Sequence, residues 1–173
     1  MRILITGIAG SGKTTIIAEL RARGHNAIDL DNCGVCAWIH KETGERAEYV
    51  EGAGKEWIEN HRWQVITPKL TSLLKDFPVH QDVFVGGKIA KIQARELADV
   101  FDVIYLLRPH DSVVDERLAT RTTNAVNFGK KKEERDSIIG KRDPFEAACI
   151  EVGAVPLENH GTSEELIARI LTR

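Results

Sequence analysis

The sequence predicts an α/β fold in three layers: a parallel five-stranded sheet with helices on both faces. Two observations carry this reading. Short apolar segments alternate with amphipathic helical stretches along all 173 residues, the pattern of strands joined by helical crossovers. Near the start, Gly7-Ile8-Ala9-Gly10-Ser11-Gly12-Lys13-Thr14 matches G-x-x-x-x-G-K-[ST]. It sits between an apolar strand and a helix, the setting that gives this motif its meaning. With no linker or repeat dividing it, the chain reads as one domain over residues 1–173.

The elements follow in order. Met1 to Thr6 is an apolar run and a first strand. Thr15 to Arg23 puts Ile16, Ile17 and Leu20 on one helical face and stops at Gly24, a residue suited to the left-handed position after a helix. Asn26 to Leu30 is a second strand. Cys36 to Val50 reads as a hairpin with Trp38 and Tyr49 in its arms and Thr43-Gly44 at the turn. Lys55 to Asp76 reads as helical, apolar at Trp57, Ile58, Val65, Ile66, Leu70, Leu73 and Leu74, with Pro68 kinking it or starting a second helix. Asp82 to Val85 is a third strand closed by Gly86-Gly87. Ile89 to Val100 is a helix and Val103 to Leu107 a fourth strand.

Asp111 or Ser112 caps a helix running to about Arg121. The polar stretch 122–132, with Asn124, Asn127 and Gly129, reads as a mobile loop. Pro144 to Val152 is a helix and Ala154 to Leu157 a fifth strand. Thr162-Ser-Glu-Glu165 is a capping box that opens the last helix. In such a sheet ligands gather at the C-terminal ends of the strands. The phosphate loop, Asp29, Asp31 and Gly86-Gly87 all fall there.

Composition narrows the partners. Lys+Arg 24 against Asp+Glu 26 gives a formal net charge of −2, which argues against nucleic acid or an anionic membrane as the main partner. No apolar run approaches the ~20 residues needed to span a bilayer. A signal peptide's pattern is broken at Gly7 by the motif itself. A cytoplasmic location is expected, with a small-molecule or nucleotide substrate and a monomer or homodimer. Three cysteines suit a reducing compartment. Cys33-Gly-Val-Cys36, with His40 beyond it, lacks a second ligand pair and has only the distant Cys149, so ordinary thiols are expected.

The chemistry starts at the loop. Glycines turn successive N–H groups inward as an anion nest, and the following helix adds its N-terminal N–H groups. Gly7 through Thr15 is therefore the candidate ATP site, with Lys13 on the outer phosphates and the Thr14 hydroxyl on Mg²⁺. In an extended segment alternate residues point the same way. Asp29 and Asp31 can thus share one site, Asp29 for Mg²⁺ and Asp31 for the acceptor hydroxyl; two solvated turn aspartates are the alternative. Gly86 and Gly87 stand where many proteins with this loop carry a metal-ligating acid. They let an acceptor approach the backbone, or they simply form a tight turn.

Arg117 and Arg121 share a helix face. Lys130, Lys131, Lys132, Arg135, Lys141 and Arg142 follow them. Cations closing on a triphosphate would stabilise the transferring charge and exclude water, with Arg121 the strongest catalytic candidate beside Lys13 and Asp31. The other reading is a solvated face paired with residues such as Glu116 and Glu133. Arg62, between His61 and Trp63, either anchors an anionic acceptor or is a helix-surface charge.

These residues resemble the P-loop small-molecule kinases, the group of adenylate, shikimate and gluconate kinases. The resemblance covers essentially the whole chain, although only the phosphate loop is highly specific. It implies a P-loop NTPase fold with strand order 2-3-1-4-5, ATP·Mg²⁺ as donor, an acceptor-binding insertion over about 32–62 and a lid over about 122–132. Asp29-Leu-Asp31 is similar to the shikimate-kinase Asp-x-Asp, whose first carboxylate serves the metal and second the acceptor hydroxyl. Gly86-Gly87 looks like a shortened form of that enzyme's triple-glycine turn. Glu116 to Arg121 is similar to the adenylate-kinase lid entrance, which assigns Arg117 to adenine and Arg121 to phosphates. Pro156 to Gly161 is similar to the loop that cups adenine.

Gln93-Ala94 falls where adenylate kinases carry their adenine-reading Gln-Ala, but Ile89 replaces the phosphate-holding arginine, and 36–50 matches neither enzyme. The donor half is recognisable and the acceptor half is not. The leading expectation is an ATP-dependent phosphotransferase acting on a small metabolite or nucleotide. The alternative is an ATP-binding or ATPase regulator that transfers nothing; the guanine-reading Asn-Lys-x-Asp of GTPases is missing.

Overall fold

β1 (Arg2–Thr6) is the central strand of a parallel sheet and is buried from Ile3 to Thr6. Around it lie β2 (Asn26–Asp29), β6 (Val83–Gly86), β7 (Val103–Arg108) and β8 (Val155–Glu158), in the order β2-β6-β1-β7-β8. Counted among these five strands alone, that is second, third, first, fourth, fifth. The whole-chain numbering differs because a second sheet is inserted, formed by β3 (Cys36–His40), β4 (Arg46–Ala47) and β5 (His61–Val65). The computed structural model describes residues 1–49, 55–122 and 129–172.

Alternation along the strands splits the core in two. Ile3 and Ile5 join Phe84, Tyr105 and Leu107 on one face, covered by α1 (Lys13–Ala22) and α8 (Ser163–Leu171) through Ile16, Ile17, Leu20, Leu166, Ile167 and Ile170. Leu4, Val83, Val85 and Leu106 point to the other face. There they meet α3 (Thr67–Lys75), α4 (Ala94–Ala98), α5 (Asp111–Thr120) and α7 (Arg142–Glu151). The last helix opens as expected: Thr162 Oγ1 accepts from the Glu165 N–H at 3.2 Å, and Glu165 Oε2 accepts from the Thr162 N–H at 3.0 Å.

Four sequence expectations need correction. The Lys55–Asp76 helix is broken by a strand: α2 (Lys55–Asn60) ends, β5 pairs antiparallel with β3 from Cys36↔Val65 to His40↔His61, and only then does α3 begin, with Pro68 in its first turn. The apolar spacing there suited a helix, but cross-strand pairing of Trp63 with Trp38 decides the outcome. The helix expected over 89–100 is only a 3-10 turn, Lys91–Gln93, followed by α4. α5 is capped by His110 without a side-chain bond, in place of Asp111 or Ser112. An unforeseen helix, α6 (Lys132–Gly140), occupies much of the basic stretch. The hairpin around Thr43-Gly44 is present as β3 and β4, although Val50 lies outside the described residues, as do 123–128 of the expected mobile loop.

Two arginines fasten α7 to the sheet. Buried Glu146 accepts from Arg108 Nε and Arg142 Nε, each at 2.7 Å, while Arg142 also bonds Asp111 and the Pro109 carbonyl. α6, by contrast, buries no residue.

Candidate active site

The phosphate loop leaves β1 and turns into α1 at Gly12, whose φ of +97° is left-handed. A side chain there would be strained and would also meet Asn159 Nδ2 at 3.0 Å and Arg117 Nη1 at 3.4 Å. No side chain caps α1 and no acid stands in its first turn. Its first N–H groups, including those of Lys13, Thr14 and Thr15, therefore have no intrahelical acceptor and are open to an anion. Asn159, 5% exposed, braces the loop by donating to the Ser11 carbonyl at 2.8 Å.

Lys13 is folded back on its own loop. Its Nζ donates to the carbonyls of Gly7 at 3.0 Å and Ile8 at 2.8 Å, and lies 3.4 Å from Ser11 Oγ. Burial pulls its pKa down to about 8, with Lys88 and Arg121 pushing the same way and Asp31 and Asp29 opposing.

Asp29 ends β2, level with Gly86 of β6, which in turn pairs with Ile5 of β1. Its Oδ1 accepts from the Asp31 N–H at 3.0 Å, while its buried Oδ2 has no hydrogen-bond partner. Asp31 is not on the strand, as alternation would require, but in a 3-10 turn, Leu30–Asn32, that Asp29 caps. The pair nevertheless acts on one place, since both carboxylates bear on Lys13. Asp31 lies exposed in the cleft and accepts from Trp63 Nε1 at 2.8 Å.

The cleft holds about 2020 Å³. Gly12, Thr14, Arg117 and Asn159 line its phosphate-loop side; Trp38, Tyr49, Arg62 and Trp63 line the inserted-sheet side. The aromatic residues form one packed group. Trp38 stacks on Tyr49 with centroids 6.0 Å apart, and meets Trp57 at 5.1 Å and Trp63 at 5.5 Å. Near the donor side His110 stacks on His160 at 3.9 Å, and His160 Nε2 lies 3.2 Å from Glu158.

The remaining sequence candidates divide. Arg117 reaches the Gly10 carbonyl at 3.5 Å and Arg121 lines the cleft, its pKa lowered by burial and held up by Asp31. Lys131 and Lys141 also line it. Arg135 is bound to Asp115 at 2.6 Å, Arg142 to Glu146 and Asp111, and Lys132 to Asp136 at 2.9 Å, so these three serve α6 and α7. Lys130 bonds the Ala119 and Arg121 carbonyls.

Arg62 is on a strand, not a helix, and its Nε donates to Gln64 Oε1 at 2.7 Å. Gly86 and Gly87 do not line the cleft; a methyl on Gly86 would collide with Ile17 and one on Gly87 with Leu30 at 2.8 Å. Gln93 is buried, its carboxamide spent on the Val65 N–H at 3.0 Å and the Val65 carbonyl at 2.7 Å. That bond ties the inserted sheet to the main one. The cysteines are free thiols, with Cys36 and Cys149 pushed up to about 12 by burial.

No family model matches the sequence, and no curated protein matches it either. Solved structures do. A shikimate kinase from Acinetobacter baumannii, in complex with shikimate, matches at TM-score 0.63 and 20% identity, over 99% of this chain and 90% of that one. A shikimate kinase from Aquifex aeolicus matches at TM-score 0.60 and 17% identity, over 99% and 95%. The chain has the fold of the P-loop kinases. A deoxyadenosine kinase from M. mycoides, with bound dATP, shares that fold along both full chains, 100% of each, at TM-score 0.55 and 12% identity. Within this P-loop kinase fold, sequence reasoning missed Asn159 as a named residue, Trp63 as the partner of Asp31, and Lys88 in the cleft. Only Asn159 had a signal, since it lies in the 156–161 loop. No described helix is long and apolar enough to cross a membrane.

Proposed function

We propose that the protein is an ATP-dependent phosphotransferase that moves the γ-phosphoryl group of ATP·Mg²⁺ to a hydroxyl of a small metabolite or nucleotide, in the cytoplasm. The observation that carries this reading is the placement of an uncapped helix N-terminus and a buried lysine on one side of a cleft, with a carboxylate fixed opposite by an indole. The loop N–H groups and Lys13 bind the triphosphate tail, Arg117 lies toward the base, and Arg121 adds charge at the phosphates. Asp31 orients the acceptor hydroxyl and takes its proton. The acceptor oxygen then bonds to the γ-phosphorus as the bond from that phosphorus to the β–γ bridging oxygen breaks, and ADP leaves.

The residues fit a magnesium ion. Mg²⁺ takes one or two protein ligands and keeps phosphates and waters for the rest. Asp29 Oδ2 is buried without a partner, and Thr14 is exposed in the first turn of α1. Bound there, the ion would neutralise phosphate charge. Arg62 is the acceptor-side candidate that remains in the cleft.

A coupled assay of ADP formation over a metabolite panel tests the proposal, with Lys13→Ala and Asp31→Asn as controls. Acceptor-dependent ADP release that both variants abolish supports it. ADP release at the same rate with and without every acceptor would leave an ATPase in its place.

A further inference from the structure

Lys88 has no task in the mechanism above. It follows Gly86-Gly87 out of β6 and lines the cleft. Part of the residue reaches solvent, but its charged end is surrounded by protein and burial pulls its pKa down. The next influence is a second cation, Lys141, which pushes the same way; Asp31 opposes. Among the described residues its ammonium makes no ion pair or hydrogen bond, and its one close partner is the Phe145 ring, 5.5 Å from the centroid. A desolvated ammonium beside a like charge is costly unless an anion arrives. The phosphate loop has its own lysine.

The segment that carries Lys88 is fastened to the acceptor side. The 3-10 turn just after it carries Gln93, which clamps Val65 of the inserted sheet. Trp38, Tyr49 and Trp63 of that side face the same cleft. Asp31, held by the Trp63 indole of that side at 2.8 Å, bears on Lys88 as it does on Lys13, and Lys88 bears on Lys13 in turn, so the three charges meet in one stretch of the cleft.

We propose that Lys88, with Lys141 beside it, is an anion subsite for the acceptor. The acceptor therefore carries a phosphate or carboxylate group, and offers a ring face to the indoles of Trp38 and Trp63 while its hydroxyl lies at Asp31. This rests on the phosphotransferase reading and narrows it from any small hydroxylated molecule to an anionic, ring-bearing one.

The three tryptophans, Trp38, Trp57 and Trp63, all lie on the inserted-sheet side, so intrinsic fluorescence reports this side alone. The full chain, saturated with Mg²⁺ and a non-hydrolysable ATP analogue, is titrated with inorganic phosphate, a nucleoside 5′-monophosphate, the matching neutral nucleoside and a cyclic hydroxycarboxylate. The last three arms tell a phosphate source from a carboxylate source. Lys88→Met is expected to weaken the anionic probes at least about tenfold, the worth of one charge-assisted hydrogen bond, and the neutral nucleoside less than about twofold. Lys88→Arg restores binding, and Lys88→Met raises the melting temperature of the ligand-free chain because a buried uncompensated charge is gone.

Equal losses for charged and neutral probes overturn the proposal, as does an equal loss of the ATP analogue. So does a wild-type chain whose tryptophan signal ignores every anion. The analogue is titrated separately: failure to bind it sinks the phosphotransferase reading, whereas binding it but no anion sinks only the Lys88 subsite.

Discussion

The two walls of the cleft are built by different means. The proposed donor wall is mostly main chain: carbonyls and N–H groups of residues 7–15, shaped by glycines, braced by Asn159 and joined by the Lys13 side chain. The acceptor wall is side chain: indoles, a phenol, Arg62 and Lys88 brought together from an inserted sheet and the end of β6. In the proposed reaction a wall of backbone atoms would recognise what every nucleoside triphosphate shares, and a wall of side chains what one acceptor has. The contrast teaches that the same cleft can keep its donor unchanged while its acceptor varies without disturbing the central sheet.

Variants can break this contrast, beginning with the largest effect. Lys13→Ala is expected to lower nucleotide affinity by about 10²–10³-fold, since several charge-assisted bonds to phosphate go at once. Calorimetric titration of the ATP analogue measures it, and an unchanged acceptor-side fluorescence shows that the inserted sheet survives. Asp31→Asn should cut transfer by about 10²-fold or more, the usual share of a general base, with the affinity for ATP unchanged in the same titration. If its ATP affinity fell instead, the carboxylate would belong to the donor wall.

Gly12→Ala tests how far backbone shape rules the donor side. A φ of +97° and a clash with Asn159 should together lower stability by about 1–3 kcal/mol, read from urea unfolding. Trp63→Phe sharpens the opposite wall. Losing the 2.8 Å bond to Asp31 should lower kcat about tenfold or less, because the carboxylate loses the donor that orients it. Nucleotide affinity should stay as it was.

The smallest effect concerns protons. Lys13 titrates near pH 8 in the free protein, below its ordinary range, and a bound polyanion raises that value. At pH 8 about half the molecules must then take up a proton on binding ATP, whereas near pH 6 the lysine is already charged and uptake falls to about zero. Calorimetry in buffers of different ionisation enthalpy reads the difference.

The donor wall and the main sheet were legible in the sequence for one reason: both obey local rules. The phosphate loop is contiguous, the strands are apolar runs, and Thr162 and Glu165 cap a helix three residues apart. The acceptor wall obeys none. Trp63 meets Asp31 across 32 residues, and β5 shows itself only when paired with β3, so residues 61–65 read as helix from their spacing. Gln93 illustrates the other failure. The sequence matches a base-reading position, but in space both ends of its amide are taken by Val65. Gly86 and Gly87 fail similarly, as their missing side chains make room for Ile17 and Leu30 and not for a ligand.

The double clasp on Glu146 has one more consequence. Arg108 of β7 holds α7 through Glu146, and Arg142 joins that carboxylate to Asp111 and the Pro109 carbonyl at the end of β7, whereas α6 sets only the half-buried Ile138 and Ile139 against the core, so the weaker seating lies on the α6 side of Gly140. A chain with Gln at 146 would keep α6 as it is and hold α7 to β7 more loosely.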